Sequence, residues 1–372
     1  MRVIMSGGGT GGHTYPAIAI ADTIKASFPS SEIIFTGNSY GIEKRIAKEA
    51  GYEFVEVECS GLSRSLSPKN IRTAYLALTS PKQGRTLIRD FKPDIVIGTG
   101  GYVCWPTVKA ASQLGIHCAL HESNSVPGLA VKMLKGSVDR IWTNYEETIS
   151  LIGRPKKSIR VGNPIRSTFT TVSAEDAKKK LYNGKDYRYC VLSCGGSIGA
   201  ERLNECAVDL MAQYVSKHPE MLYIHITGKH KYDQTYVRFC EFGLDKLGNV
   251  RLLDYTDEMP VLMGAADIVI SRSGALTLSE LALTGKASVL VPSPNVTNNH
   301  QYYNSKALAD KGAAVMVEEK DLCVERMVSV ISTLADNAIE RKNLERNIKK
   351  FAFPDANQRI LEDIVRLTGV EG

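Results

Sequence analysis

The chain has 372 residues, of which 43% are hydrophobic and 23% are charged, and its 46 basic and 40 acidic residues give a net charge of +6. This is the composition of a soluble globular protein, and two domains are expected because the length is too great for one core. No apolar run approaches the roughly 18 residues of a membrane span, no signal peptide is expected, and the eight cysteines lack a CxxC pair or zinc spacing, as is typical of reduced cytosolic thiols.

The first predicted strand, residues 2–5, leads into a glycine loop, GGGTGG at 7–12, and a helix is predicted over 15–28. Glycine lets the backbone approach a ligand closely, and the N-terminus of the following helix favours negative charge, so the loop predicts a phosphate site. Its GxGxxG pattern also fits a dinucleotide dehydrogenase. That interpretation is disfavoured because the second predicted strand, EIIFTGN at 32–38, ends without the carboxylate that would bind a ribose.

A basic window at 62–92 carries the whole net charge, since it contains seven basic residues and one acidic residue. The basic residues are Arg64, Lys69, Arg72, Lys82, Arg85, Arg89 and Lys92. Two apolar groups lie among them: Ile71, Ala74, Tyr75 and Leu78 on one face of a short helix, and then Leu87, Ile88 and Phe91. The combination predicts contact with an anionic membrane surface. Core helices with solvated charges are the alternative, and nucleic-acid binding is disfavoured because the domain as a whole is not basic.

The second half of the chain repeats the order of the first. CVLSC at 190–194 leads into a second glycine loop, GGSIG at 195–199, and DIVI occurs twice, at 94–97 and 267–270, each time before a turn of small residues. Short apolar runs that alternate with helical patterns predict parallel strands covered on both faces. The further predicted helices are 42–50, 103–114, 201–217 and 276–284. Two doubly wound α/β domains follow, with ligands beyond the carboxyl ends of the strands.

Glycine and proline at 162–164 predict the domain boundary, which gives domains 1–163 and 164–345 and a C-terminal helix, 346–372, that is expected to pack on the first domain. Just after this boundary, Ser173 and two acidic residues predict a capped helix. The GxSxG pattern of the second loop also fits a serine hydrolase with Ser197 as nucleophile and Asp267 and His300 as partners. That alternative leaves the duplication unexplained. Walker and DxD motifs are absent, which favours two domains that share a nucleotide diphosphate and an acceptor.

Seven motifs, in this order, resemble those of the MurG family of peptidoglycan N-acetylglucosaminyltransferases. They are GGGTGGH at 7–13, GTGGYV at 98–103, HESN at 121–124, GNPIR at 162–166, GGSIGA at 195–200, RSGALTLSE at 272–280 and NHQYYN at 299–304. The resemblance implies two Rossmann-like α/β domains facing a cleft, the GT-B fold. It also implies an inverting transfer of GlcNAc from UDP-GlcNAc to the C4 hydroxyl of MurNAc in undecaprenyl-pyrophosphoryl-MurNAc-pentapeptide, without cofactor or metal, at the cytoplasmic face of the cell membrane.

The resemblance further implies that the second domain binds the donor. Glu280 would bind the ribose, although a capping acid is the alternative, and Ser197 and Arg166 would bind the diphosphate, with a linker ion pair as the alternative for Arg166. The segment around Thr256, where isoleucine is usual, would contact uracil through its main chain. Ile198 and His300 also depart from the family pattern, which often has glutamine there. The remaining donor contacts would be Asn124, Ala275, Leu276, Thr277, Leu278, Ser279 and Gln301.

The first glycine loop is then the acceptor's, with Thr10, Gly11 and Gly12 around the pyrophosphate of the lipid carrier. An inverting displacement needs a base to accept the proton of the attacking hydroxyl. His13 ends this loop, and histidine side chains titrate near neutral pH. We therefore expect His13 to be the base, with His121 and Glu122 as the other candidates and a structural role as the alternative for His13.

Overall fold

The computed structural model describes residues 1–61, 69–196, 199–296 and 299–370. The chain forms two compact units, one of Met1–Arg166 with Phe353–Gly372 and the other of Ser167–Ala352. Both divisions lie later in the chain than the predicted boundaries after 163 and 345. The reason is local packing, since Phe353 lies against the backbone of Gly162 and the Asn357 side chain donates to the Ile165 carbonyl (2.9 Å). Ser197 and residues 62–68 of the basic window lie outside the described residues.

Each unit contains one parallel sheet. In the described part of the chain, the first sheet has the order β3-β2-β1-β4-β5-β6-β7 and the second has the order β10-β9-β8-β11-β12-β13. The strands are β1 Arg2–Gly7, β2 Glu32–Gly37, β3 Glu53–Glu56, β4 Ile95–Gly100, β5 His117–Glu122, β6 Arg140–Thr143, β7 Ser158–Arg160, β8 Tyr189–Cys194, β9 Met221–Ile226, β10 Val250–Leu253, β11 Ile268–Ser271, β12 Ala287–Leu290 and β13 Val315–Met316.

Helices connect the strands and cover both faces of each sheet. They are α1 Gly11–Ser27, α2 Ile42–Glu49, α3 Lys69–Phe91, α4 Cys104–Leu114, α5 Leu129–Leu134, α6 Glu146–Ile152, α7 Thr168–Thr171, α8 Ala174–Tyr182, α9 Glu201–Gln213, α10 Tyr232–Glu241, α11 Met259–Ala265, α12 Ala275–Thr284, α13 His300–Ala309, α14 Val324–Asp336, α15 Ala338–Lys349 and α16 Ala356–Thr368. Among the described residues, no helix has the length and apolarity needed to cross a membrane.

The core of the first unit explains why its strands are apolar throughout. Val3 and Met5 of β1 pack with α1, α2 and α16, whereas Ile4 between them packs with α3 and α4 on the opposite face. Side chains alternate across a strand, so a strand covered on both sides needs an uninterrupted apolar run. The predicted parallel arrangement is confirmed.

The predicted duplication is also confirmed, because β1 and β8 hold the same central place in their sheets, beside β4 and β11. A shared hydrogen-bond pattern supports the comparison. Asp94, before β4, accepts from the Arg2 amide of β1 (2.7 Å), and Asp267, before β11, accepts from the Cys190 amide of β8 (2.9 Å). Both carboxylates thus tie together the amino ends of the two central strands.

Some helix boundaries differ from prediction. Helix α1 begins at Gly11 rather than 15, because the Thr10 carbonyl already accepts the amides of His13 (3.1 Å) and Thr14 (3.2 Å). The helix predicted at 201–217 ends at Gln213 and is followed by a 3-10 turn, Val215–Lys217. The predicted cap is confirmed, since the Asp176 amide donates to the Ser173 hydroxyl (3.0 Å) at the start of α8.

Candidate functional site

The first glycine loop joins the carboxyl end of β1 to the start of α1. Thr10 is extended, with φ −150° and ψ 158°, and the amides of Gly11 and Gly12 lie in the first helical turn. Residues 11–14 include no acidic side chain, and both Thr10 and Gly12 are exposed. An exposed helix N-terminus without a carboxylate in its first turn is suited to an anionic ligand. The predicted acceptor residues Thr10, Gly11 and Gly12 therefore lie together at one end of α1.

The turn after β4 forms a wall of this loop. Gly100 and Gly101 have φ values of +109° and +76°, which glycine adopts without strain. A Cβ atom at Gly101 would lie 2.2 Å from the Gly8 carbonyl oxygen, and one at Gly100 would lie 2.5 Å from the Nδ1 atom of His13. The two glycine-rich motifs of the first half are therefore in direct contact, and larger residues at 100 and 101 would separate them.

His13 is half-buried against this turn and bonded to it twice. The Thr99 hydroxyl donates to the His13 carbonyl (2.6 Å), and the His13 Nδ1 atom lies 3.2 Å from the Thr99 carbonyl oxygen. Because a carbonyl can only accept, Nδ1 carries the hydrogen, and the lone pair of the neutral ring is on Nε2. A backbone-oriented imidazole with its lone pair on the other nitrogen is the arrangement expected of a general base.

His121 and Glu122, the other candidate bases, are engaged elsewhere. His121 is fully buried at the end of β5, where Nε2 donates to the Gly162 carbonyl (2.9 Å), and burial lowers its pKa to about 4. The Glu122 carboxylate is also buried and accepts from the amides of Asn124 (2.9 Å) and Gly128 (2.7 Å). These bonds hold the neighbouring backbone in place, so of the three candidates His13 has the geometry best suited to a base.

The buried His121 predicts acid sensitivity of the first unit. Its pKa is about 4 in the native state against 6.5 ordinarily, so between these values the unfolded chain binds a proton that the native chain does not. The contribution of His121 to the free energy of unfolding is therefore fully present above pH 6.5. It falls on acidification, by about 2 kcal/mol at pH 5. Both tryptophans, Trp105 and Trp142, lie in the first unit, so urea unfolding followed by tryptophan fluorescence measures this loss.

The matched variant is His121→Gln, whose amide nitrogen replaces Nε2 as donor to Gly162 but does not titrate in this range. We expect its unfolding free energy to change less between pH 7 and pH 5 than that of the parent. An equal change in both proteins would show that His121 is not the source of the acid sensitivity.

The second glycine loop follows β8 and precedes α9. Gly196 and Gly199 have φ values of +83° and +82°, and the Gly199 amide donates to the Gly196 carbonyl (3.0 Å). A Cβ atom at Gly199 would lie 2.2 Å from the carbonyl oxygen of Thr227, which follows β9. The loop thus packs directly on the end of the neighbouring strand, which explains why glycine is needed at 199.

A buried polar chain under this loop was missed by the sequence analysis. The His225 ring lies between the Ser193 hydroxyl (2.6 Å) and the Asn204 side-chain oxygen (3.0 Å), and Asn204 donates to the Thr227 carbonyl (3.1 Å). Burial lowers the pKa of His225 to about 3, so it is neutral. This series of hydrogen bonds connects β8, which precedes the loop, to α9, which follows it. A histidine inside an apolar strand, MLYIHI, was the available sequence signal.

Glu280 lies in the second turn of α12, which begins at Ala275. This position excludes the capping role considered from the sequence, because such an acid belongs to the first turn. Glu280 lies near Cys194, the last residue of β8. Burial raises the pKa of the Cys194 thiol to about 12, and the charge of the neighbouring Glu280 contributes to the increase. Glu280 and the second glycine loop therefore lie at the same end of the second sheet, as do the other predicted residues of the segment 275–279.

Gln301 and Thr256 already bond to the backbone of the second unit. The Gln301 side-chain oxygen accepts the amides of Ser273 (3.3 Å) and Ser293 (2.9 Å), so contact with a sugar would use its amide nitrogen. The Thr256 hydroxyl accepts the Glu258 amide (2.9 Å) immediately before α11. A nucleobase bound at this segment would therefore be contacted by main-chain groups. The threonine that replaces isoleucine has a local role in the turn.

Two of the predicted donor residues belong to the first unit. The Arg166 guanidinium lies over the Tyr15 ring of α1, 4.6 Å from its centre, although the sequence placed this arginine in the second domain. Asn124 follows β5, and its side chain donates to Glu122 (3.1 Å). The first unit therefore carries both of these residues in addition to the acceptor loop.

The arrangement of the second unit does not support the serine-hydrolase interpretation. Asp267 accepts from the Cys190 amide at the amino end of the sheet and pairs with Lys178 (2.7 Å). The loop that contains Ser197 follows Cys194, at the carboxyl end. Four residues of strand, about 13 Å at 3.3 Å per residue, separate Asp267 from the end of the sheet at which this loop begins.

Comparisons with known proteins agree with this architecture. Models of the glycosyltransferase family 28 N-terminal and C-terminal domains match residues 3–143 and 190–360. The UDP-N-acetylglucosamine–N-acetylmuramyl-(pentapeptide) pyrophosphoryl-undecaprenol N-acetylglucosamine transferase of Thermoanaerobacter sp. (strain X514) is 36% identical over 99% of this chain and 100% of its own. Its counterpart from Alkaliphilus oremlandii is 38% identical over 99% of both chains.

Among solved structures, the crystal structure of Acinetobacter baumannii MurG matches with a TM-score of 0.74 and 25% identity, over 98% of this chain and 99% of that one. The predicted fold class, two Rossmann-like α/β domains of the GT-B type, is confirmed by this similarity and by the sheet topology. With relatives above 30% identity over nearly its whole length, the chain belongs to the MurG family of N-acetylglucosaminyltransferases, within glycosyltransferase family 28.

Proposed function

We propose that this protein transfers GlcNAc from UDP-GlcNAc to the C4 hydroxyl of MurNAc in undecaprenyl-pyrophosphoryl-MurNAc-pentapeptide, a step of peptidoglycan synthesis. The observation that carries the proposal is the pair of glycine loops, each between a central strand and a helix N-terminus, in two duplicated units. Each loop is suited to one of the two phosphate-bearing substrates. The names of the relatives describe this donor and this acceptor.

In this proposal the second unit provides most of the donor contacts, and Arg166 and Asn124 of the first unit provide the others. Glu280 accepts hydrogen bonds from the ribose hydroxyls, and backbone amides of the second glycine loop and of the first turn of α12 contact the diphosphate and the sugar. Ser197 and Arg166 bind the diphosphate as well, and the segment around Thr256 contacts uracil. Asn124 and the Gln301 amide nitrogen bind sugar hydroxyls.

The first unit binds the acceptor and supplies the base. Thr10, Gly11 and Gly12 hold the pyrophosphate of the lipid carrier, and His13 Nε2 accepts the proton of the C4 hydroxyl. The hydroxyl oxygen then bonds to the anomeric carbon of GlcNAc from the face opposite UDP, and the bond from that carbon to the diphosphate breaks. UDP departs with the electron pair, and its developing charge is stabilised by backbone amides and Arg166. One displacement inverts the anomeric centre.

The proposal is tested by incubating the protein with UDP-GlcNAc and a short-chain MurNAc-pyrophosphoryl lipid while UDP release is measured. We expect release only when both substrates are present, together with a β-linked disaccharide product detected by mass spectrometry and NMR. UDP release that is independent of the acceptor, or no release with both substrates, would overturn the proposal.

We also propose that the exposed face of α3 contacts an anionic membrane at its cytoplasmic surface. Ile71, Tyr75 and Leu78 are 76%, 64% and 81% exposed on this helix, and Lys82 and Arg89 continue the same face. The prediction that Leu87, Ile88 and Phe91 belong to this surface was wrong, because Ile88 is buried in the core and the other two side chains pack against the core. The apolar part of the proposed membrane surface is therefore confined to the first half of α3.

Removal of basic residues is expected to weaken membrane binding only in part, because each basic residue near an anionic surface contributes about 1 kcal/mol at most. Replacing four basic residues by glutamine should weaken binding to anionic vesicles by up to about fivefold per residue at low salt, without changing the affinity for UDP-GlcNAc. The four positions are Lys69, Arg72, Arg85 and Arg89. Co-sedimentation with phosphatidylglycerol vesicles measures the effect.

The matched control removes four positive charges from helices on the opposite face of the same sheet. Its positions are Lys25, Lys44, Arg45 and Lys48. Equal loss of binding in both variants would mean that net charge, rather than the α3 surface, drives the association. Wild-type binding by the α3 variant would show that this face does not meet the membrane.

A further inference from the structure

A buried carboxylate lies directly beside the first glycine loop and has no part in the reaction described above. Glu43, in the first turn of α2, is 1% exposed. Its Oε2 atom accepts the Gly9 amide (3.0 Å), and its Oε1 atom accepts the Asn38 amide after β2 (3.2 Å). One side chain therefore joins the glycine loop after β1 to the loop after β2.

Three glycines from different segments form the walls around this carboxylate. A Cβ atom at Gly8, Gly37 or Gly41 would lie 2.5, 2.8 or 2.1 Å from the nearest Glu43 side-chain atom. Real Cβ contacts are not this short, so a side chain at any of these positions would displace the Glu43 carboxylate. This packing explains glycines that the phosphate-loop interpretation leaves without a role, because Gly37 and Gly41 lie outside the loop.

The carboxylate and the proposed anion site lie on different parts of the loop. Gly9 has φ +80°, and its amide is bonded to Glu43, so this amide is not available to a phosphate. The next residue, Thr10, precedes α1, whose first-turn amides belong to Gly11 and Gly12. A buried negative charge at Gly9 also repels an anion at that position, which favours approach from the exposed side at Thr10 and Gly12.

We propose that Glu43 is a positioning residue for the acceptor: it fixes the conformation of the first glycine loop and restricts pyrophosphate binding to its Thr10–Gly12 end. The inference rests on the proposed function, since it assigns the acceptor to this loop. Glu43 acts through the Gly9 and Asn38 backbone and does not contact the substrate.

Glu43→Gln is the variant that tests the proposal. Glutamine has the same size but one acceptor oxygen, so one of the two backbone amides would face an NH₂ group. A buried amide without its acceptor is costly, and we expect kcat/KM for the short-chain acceptor to fall about tenfold or more. The loss should lie mainly in the acceptor KM, while the dissociation constant of UDP-GlcNAc stays within about twofold because most of the proposed donor residues lie in the other unit. Glu56→Gln, at an exposed carboxylate paired with Lys44, is the control.

Hydrogen exchange separates this inference from the proposed function, because it requires no activity. Peptides covering residues 7–14 should exchange faster in Glu43→Gln than in the parent and in Glu56→Gln, while peptides of the second unit stay unchanged. Unchanged exchange in the glycine loop, or unchanged acceptor kinetics in an active enzyme, would overturn the positioning role. If Glu43→Gln does not fold, Glu43→Asp, which keeps the charge but withdraws it by one methylene, is measured in the same way with the same expected direction.

Discussion

Replacing His13 by alanine is expected to lower turnover by 10²–10⁴-fold, the usual contribution of a general base, while UDP-GlcNAc affinity stays near that of the parent. The reason is the tautomer fixed by the Thr99 carbonyl, which leaves the basic lone pair on Nε2. Turnover is measured as acceptor-dependent UDP release at saturating substrates, and donor affinity by calorimetry.

A structural role for His13 predicts a different result in one particular variant. His13→Asn keeps a side-chain amide in place of Nδ1 as donor to Thr99, but it lacks a group corresponding to Nε2. If His13 is the base, His13→Asn is as inactive as His13→Ala. Activity within about threefold of the parent in His13→Asn would show that the ring only supports the glycine turn. The exposed His117 provides the control substitution, His117→Asn.

The second large effect is expected at Glu280. Hydrogen bonds to a charged group contribute about 1.5–3 kcal/mol each, so Glu280→Ala should weaken UDP-GlcNAc binding by about tenfold or more. The position of Glu280 in the second turn of α12 supports a ligand-binding rather than a capping role. Isothermal calorimetry on the folded variant measures the change.

A donor that lacks the ribose 2′-hydroxyl makes this test specific. If Glu280 binds that hydroxyl, removing it weakens binding to the parent protein but has much less effect on Glu280→Ala, because the shared interaction is already gone. Equal losses in both proteins would mean that Glu280 acts elsewhere in the site. Unchanged donor affinity in Glu280→Ala would remove it from the nucleotide site altogether.

The sequence was sufficient for the fold because parallel strands covered on both faces have a simple pattern. The runs DIVI at 94–97 and 267–270 begin with an aspartate that ties the two central strands together in each unit, so the repeated letters reflect a repeated contact. Glycine loops at the ends of such strands are equally local features. The proposed donor role of Glu280 came from family resemblance rather than from pattern.

What the sequence did not reveal depends on contacts between distant segments. Glu43 reads as an ordinary acid at the start of a helix, and its burial depends on glycines in three separate places. The polar chain through His225 requires the pairing of β8 with β9 and the position of α9. In α3, Leu78 is exposed and Ile88 is buried in the core, because ten residues make about 2.8 helical turns and place the two side chains on different faces of the helix.

The division of the chain has a consequence for synthesis on the ribosome. The first unit contains α16, from which Ile360, Leu361 and Ile364 enter the same core as β1, and Asp363 of this helix accepts from the Trp142 indole (2.8 Å). The second unit, Ser167–Ala352, is continuous. Domains usually complete folding in the order of their translation, but here the unit that emerges first lacks part of its core until α16, which follows the whole second unit, has emerged. The second unit therefore completes its core first, while the nascent first unit exposes an apolar surface until α16 has been synthesised.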